Sequence, residues 1–296
     1  MYWIIFALLT PILHGFSNVI DNHFTNNLFK KTTTLVFFAS FTNVLFLPLI
    51  FLLDFPLLIT FSQIPLFIIL GLTGVGYLYP YYKALQNDDT SIVVSLFSLG
   101  KIFVPLFAFF MVGEKLSFLQ YIGFLAVIVG ATLLTISGKR KFYFNNSFFW
   151  MILCTIILAF EAVIYKYVFT FMSWGTGFTW STIFSFIFAL SFLFITKTRK
   201  NIFSQIKTFK NNFWVFSLEE FLTFGGSATF TFAISLTSVT LVSAIGSFQP
   251  VFVLLYTLIL GSFFPKVFKE NITSASISKK LVMFLIMILG ATLILL

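Results

Sequence analysis

Apolar residues run through this chain in stretches about twenty long, the length a helix needs to cross roughly 30 Å of hydrocarbon. Short polar or basic segments separate them. The runs predict helices at 1–20, 34–54, 64–86, 90–112, 117–137, 147–169, 175–196, 213–236, 239–261 and 280–296. The segments 197–212 and 262–279 are the longest connections and are expected to be loops too short to fold alone. Met1-Tyr2-Trp3 offers no basic region and no small-residue cleavage site follows, so the first run is expected to stay as a span rather than act as a cleaved signal.

A longer period overlies the helical one. Shifted by 149 residues, Gly71–Glu114 lies over Glu220–Phe263, with Gly76 on Gly225, Ala84 on Ala233, Ser91 on Thr240, Ser98 on Ser247 and Phe103 on Phe252. Trp3 and His14 of the first helix are spaced like Trp150 and Glu161 of the sixth, and Gly130-Ala-Thr-Leu133 recurs as Gly290-Ala-Thr-Leu293. The chain therefore divides into a first repeat at 1–137, a basic linker at 138–146 and a second repeat at 147–296. Five helices per repeat is an odd number, so the halves must run oppositely through a bilayer. The expected fold class is an all-α membrane protein of ten transmembrane helices in two inverted five-helix repeats. Inverted repeats of this kind typify secondary transporters, which bind substrate near the midplane between the repeats.

Composition narrows the reading further. Hydrophobic residues make up 59% of the chain and charged ones 9%, against about 25% charged in ordinary soluble domains. One cysteine, Cys154, excludes an internal disulfide, and two histidines leave no metal constellation. No metal or other cofactor is expected. The net charge of +9 does not call for nucleic acid, because the bases lie between apolar runs and account for membrane orientation. Fifteen of the eighteen Lys and Arg residues fall on one face, reached after the first helix, with Lys115 and Lys166 on the other and Lys101 between them. By the positive-inside rule the basic face is cytoplasmic and both termini lie outside.

Few ionisable residues lie at depth, where Arg, Lys or Asp costs roughly 2.5–3.5 kcal/mol at a helix centre. Lys101 is central in the fourth helix, on a face with Ser91, Ser95, Ser98 and Pro105. The ninth helix carries a matching stripe of Thr240, Ser243, Ser247, Pro250 and Thr257, with Pro250 in the place of Lys101. These stripes read as cavity lining or as close helix packing. Pro250 either frees a carbonyl to the cavity or only kinks the helix. His14, Asn18 and Asp21 share one side of the first helix, and Glu161 and Tyr165 one side of the sixth. The repeat-related His14 and Glu161 are candidates for proton coupling or for a structural hydrogen bond to each other. In the eighth helix Glu220 shares a face with Thr223, Ser227 and Thr231, while Glu219 points elsewhere. One of these acids is expected to meet Lys101 or another cation. Tyr77, Tyr81 and Tyr82 offer rings that suit an aromatic or cationic solute. The candidate substrate residues are thus Lys101, Ser98, Tyr77, Tyr81, Ser247, Pro250 and Ser227, and the candidate proton-coupling residues His14, Glu161, Glu220 and Asp21.

Two motifs fail on inspection. Thr73-Gly-Val-Gly-Tyr77 has the look of a potassium filter, but it sits inside a full-length span, and the matching region of the other repeat, around Thr223-Phe-Gly-Gly-Ser227, does not keep it. No phosphate-binding Gly-x4-Gly-Lys loop is present, so nothing here points to ATP.

With Tyr82-Lys-Ala-Leu85, the polar turn to Ser91, Gly113-Glu114-Lys-Leu116, Gly123 and Gly130-Ala-Thr-Leu-Leu134 in order, and in two copies, the chain resembles the EamA-type carriers of the drug/metabolite transporter superfamily. The resemblance covers essentially the whole chain and implies a ten-helix transporter of amino acids, nucleotide-related metabolites or drugs. Three departures stand out. Lys101 replaces a usual proline, which would suit an anionic group on the substrate. Ser262-Phe263 replaces the usual Gly-Glu. The family usually has cytoplasmic termini, opposite to the charge count. The expected function is secondary-active transport of a small metabolite by alternating access, with a proton as candidate coupling ion, in a monomer or homodimer of the cell membrane, most readily a bacterial inner membrane. No catalytic residue is expected. The alternatives are an integral-membrane enzyme on lipid-linked substrates, which would need acids, His or Arg clustered at an interface, and a non-transporting scaffold.

Overall fold

A computed structural model describes residues 2–29, 31–88, 90–136, 146–263 and 274–295. These residues are helical throughout apart from short turns, and no strand occurs among them. Six segments are long and apolar enough to cross a membrane: Tyr2–Leu28, Thr32–Leu53, Phe61–Leu85, Asn146–Val168, Trp174–Phe194 and Val239–Ile259. Three shorter apolar helices, Leu96–Val112, Phe118–Leu133 and Val282–Leu295, accompany them. Apolar side chains cover the outside, with Leu52, Leu58 and Phe110 among those most exposed, which a bilayer tolerates and water does not.

Helix α1 (Tyr2–His23) continues into a π-helical turn at Phe24–Leu28. Four of the expected spans are broken in two. The second is α2 (Thr32–Val44) and α3 (Leu47–Leu53); the third is α4 (Ile64–Gly76) and α5 (Leu78–Leu85). The fourth is α6 (Thr90–Gly100) and α7 (Phe103–Val112), followed by α8 (Phe118–Ile136), α9 (Asn146–Val168) and α10 (Trp174–Ser191). Next come α11 (Thr196–Asn211) and α12 (Phe213–Leu236), and the ninth expected span is α13 (Val239–Gly246) and α14 (Gln249–Phe263) before α15 (Ser274–Leu295). The segment expected to be a loop at 197–212 is thus a helix, and the reason is visible in its packing. Ile202 and Phe209 are buried, and Phe209 stacks on Phe38 of α2 at 4.3 Å between ring centres. The linker at 138–146 lies, but for Asn146, outside the described residues.

The breaks in the fourth and ninth spans correspond. At the first, Lys101 N donates to Ser98 O and Ile102 N to Leu99 O; at the second, Ser247 N donates to Ala244 O and Phe248 N to Ile245 O. These i→i−3 bonds tighten one turn and redirect each helix. Ser98 Oγ donates to the carbonyl of Ser247 at 3.3 Å, so these two residues, 149 positions apart, touch each other.

Around this centre the packing runs in pairs. Helix α1 packs on α12 and on α13–α14, and α9 packs on α4–α5 and on α6–α7. Helix α8 lies along α15, where Gly123 and Gly290 let the backbones meet. A Cβ on Gly123 would lie 2.5 Å from the carbonyl oxygen of Gly290, so no larger residue fits without parting the helices. Thr73–Tyr77, the filter-like motif, forms the end of α4 and the turn into α5.

Candidate functional site

The bundle holds a cavity of about 240 Å³, lined by residues from α1 through α14. Its position follows from the sequence. A polar side chain in a hydrocarbon-spanning helix is placed most cheaply toward other helices or a wet interior, and each half brings several to one centre.

Three ionisable groups on its wall, His14, Lys101 and Glu161, are partly accessible from inside. No hydrogen bond or ion pair engages any of them among the described residues. The Lys101 ammonium lies beside Gly246 of α13, where a Cβ would be 2.8 Å from Nζ. It stands at the break between α6 and α7, so the broken helix carries a charge into the cavity rather than into a neighbour. The His14 ring packs on Gly226 of α12: a Cβ there would lie 2.8 Å from both Cε1 and Nε2. Glu161 Oε1 would lie 3.4 Å from a Cβ on Gly74 of α4, against which Ser185 of α10 also packs. The His14–Glu161 hydrogen bond that the repeat relation suggested is not formed.

At another part of the wall stand Asp21 of α1 and Glu220 of α12, with Glu219 behind them, all buried. The three carboxyl groups are near enough to feel one another's charge. Glu219 Oε1 accepts from Ser17 Oγ at 2.8 Å and from Thr223 Oγ1 at 2.8 Å. Glu220 Oε2 accepts from Asn43 Nδ2 at 3.3 Å. Asp21 Oδ2 accepts from the Tyr81 hydroxyl at 2.8 Å, and Tyr81 in turn accepts from Asn18 Nδ2 at 2.6 Å. Gln249 at the start of α14 closes this chain by donating to Asn18 Oδ1. One oxygen of each acid, Asp21 Oδ1, Glu219 Oε2 and Glu220 Oε1, is buried with no hydrogen-bond partner among the described residues. The expectation that Glu219 or Glu220 meets Lys101 fails, because neutral donors from α1, α2 and α12 hold both acids.

Of the candidates read from sequence, Lys101, Tyr77, Tyr81, Ser227, His14, Glu161, Glu220 and Asp21 all line the cavity, and Tyr82 joins them. Ser98, Ser247 and Pro250 do not. Ser98 and Ser247 are fully buried against each other and within their own helices, and buried Pro250 begins α14 after the break. The break explains the difference: a stripe drawn on one continuous helix turns away from the cavity where the helix bends. Asn43, Ser17 and Gln249 were missed. Each is a lone amide or hydroxyl in an apolar run, which was the available signal. The side chains of Ser91 and Ser95 lie outside the described residues. Among the described residues no cluster of His, Cys, Asp and Glu has the arrangement of a metal site.

Comparison with known proteins now adds to this geometry. Residues 1–136 match the model of the EamA-like transporter family. A solved structure titled only as a crystal structure of a protein is similar over 99% of this chain and 95% of its own, with a TM-score of 0.68 at 14% identity. That likeness bears on the fold alone. No curated protein matches the sequence.

Proposed function

From the match of residues 1–136 to the model of the EamA-like transporter family, we propose that this multi-pass integral membrane protein is a carrier of the drug/metabolite transporter superfamily that moves a small organic solute bearing an amine by secondary transport. In this reading ten crossings form two inverted five-helix repeats that rock around the central cavity, in a cell membrane. The family match ends at 136, next to the repeat boundary at 137. The paired breaks of the fourth and ninth spans, and the contact of Ser98 with Ser247, support a two-fold relation between halves. Discontinuous helices at the repeat interface are where carriers of this architecture bind substrate.

One observation carries the reading: the cavity holds charged side chains that the protein itself leaves unpaired. Three carboxyl groups clustered at depth with no cation beside them are costly unless a proton or a cationic ligand neutralises them. An amine entering against Asp21 and Glu220 supplies that charge, and the faces of Tyr77, Tyr81 and Tyr82 favour it further. Protons replacing the amine on its release would couple the two flows. Lys101, at the helix break, suits an acidic group on the same solute, so an amino acid fits both poles. The volume of about 240 Å³ sits just below the span of drug-sized clefts, about 300–1,000 Å³, and suits a metabolite better than a lipid-linked chain. Transport, rather than catalysis, is the activity expected.

The test compares Lys101→Ala and Asp21→Asn with wild type. Both variants should lose solute movement while their abundance in the membrane holds. Normal transport by both would remove the proposed site.

A further inference from the structure

Helix α11 connects α10 to α12 and has no counterpart among the spans. It packs on α2 and α12 through Ile202, Ile206 and Phe209, spaced as one face of a helix. Its remaining surface is divided. At 100° per residue, Arg199, Lys200, Lys207 and Lys210 fall within an arc of about 100°, and Phe203, 60% exposed, lies in the middle of that arc. The opposite flank carries Thr198, Asn201, Gln205 and Thr208, none of them charged. The helix contains no acidic residue, and its bases are exposed. At its two ends Phe194 and Trp214 are 87% and 83% exposed, the kind of aromatic side chain that settles at headgroup level.

Solubility or topology alone asks for charge at this end of the molecule, with no demand on which flank holds it. Segregation of every base but Lys197 onto one flank, around an exposed phenylalanine, fits a planar negatively charged surface met side-on. We propose that α11 is an interfacial helix that binds anionic phospholipid headgroups through Arg199, Lys200, Lys207 and Lys210, with Phe203 entering the acyl boundary. Phosphodiester groups match this set because each base can approach from a common plane. The helix also bears on α2, whose Asn43 holds Glu220, so lipid binding and the cavity share a structural element. The inference does not depend on the identity of the solute.

The experiment uses the full chain in a neutral detergent, titrated with short-chain phosphatidylglycerol or phosphatidylcholine. Wild type should favour phosphatidylglycerol by about tenfold or more, as expected for several bases at an anionic surface. The preference should shrink with added salt. The combined Arg199→Gln, Lys200→Gln, Lys207→Gln and Lys210→Gln variant should bind the two lipids alike, while a variant with the three lysines changed to arginine keeps the preference. Inorganic phosphate at matched charge should not compete. Equal binding of both lipids by wild type, or an undiminished preference in the glutamine variant, would overturn the proposal. Tight binding of a polyglutamate peptide without lipid preference would also overturn it and assign the face to an acidic protein segment. If the glutamine variant fails to fold, wild type decides alone: a preference insensitive to salt would refute the electrostatic contact.

Discussion

At the residue scale the informative side chains are those the protein holds at a cost. A buried interaction that stabilises the fold normally satisfies its groups, yet the Lys101 ammonium reaches the cavity with no partner among the described residues. Its replacement by Met keeps most of the stem and removes a charge that costs roughly 2.5–3.5 kcal/mol at depth on insertion scales. Lys101→Met is therefore expected to leave thermal stability in detergent unchanged or raised while transport disappears. A marked drop in stability would make the lysine structural instead. His14 gives the opposite case. Gly226→Ala would place a Cβ 2.8 Å from its ring, and overpacking of this kind costs about 1–3 kcal/mol. Removing the ring with His14→Ala should restore much of that loss. A double-mutant cycle is expected to show coupling of about 0.5–3 kcal/mol between the positions, and strict additivity would refute the contact.

At the element scale the ends of helices explain several residues that looked unremarkable in sequence. Glu114, just past α7, receives Ser238 Oγ at 2.7 Å, Val239 N at 3.0 Å and Thr240 N at 3.1 Å. One carboxylate thereby caps the start of α13 from the other half of the chain. Glu114→Ala should cost about 0.5–2 kcal/mol, as loss of a helix cap does, readable in thermal unfolding; an unchanged midpoint would contradict that role. Gly123→Leu should cost more, since α8 and α15 would have to separate at Gly290, and it is expected to lower yield and unfolding temperature together.

The same scale shows what sequence could and could not reveal. Apolar runs announced the helices because only length and hydropathy are needed for that. The break at Lys101 was hidden, for a one-turn change of hydrogen bonding leaves no residue signature when serine, leucine and glycine surround it. By contrast Pro250, one reading of which was a kink, stands just past the break at Ser247. Ser98 and Lys101 share a stripe on paper, yet one meets its repeat mate and the other meets the cavity. One of Glu219 and Glu220 was expected to meet a cation because Lys101 was the partner that sequence made visible at that depth. Their actual partners, Ser17, Thr223 and Asn43, come from three different helices that only the fold brings together. Helix α11 was overlooked because its bases outweighed a readable apolar spacing at Ile202, Ile206 and Phe209.

At the scale of the whole molecule, the account rests on a cavity shared by two halves and left with unsatisfied charge. We propose from the charge asymmetry of the chain that the basic face, with α11, is cytoplasmic and the termini lie outside. A reporter fused to either terminus should accordingly be active only in the external compartment, and activity in the cytoplasm would reverse the assignment. The central claim, that an amine-bearing solute and protons trade places on these carboxylates, is tested most directly in sealed proteoliposomes. Purified protein is reconstituted, a pH difference is imposed, and uptake of candidate amino acids is followed with and without the gradient. Wild type should accumulate at least one such solute, in a manner that collapses with the gradient and is absent from the Lys101→Ala and Asp21→Asn proteins. Uptake no greater than in protein-free liposomes, across amine-bearing solutes and both gradient directions, would contradict it.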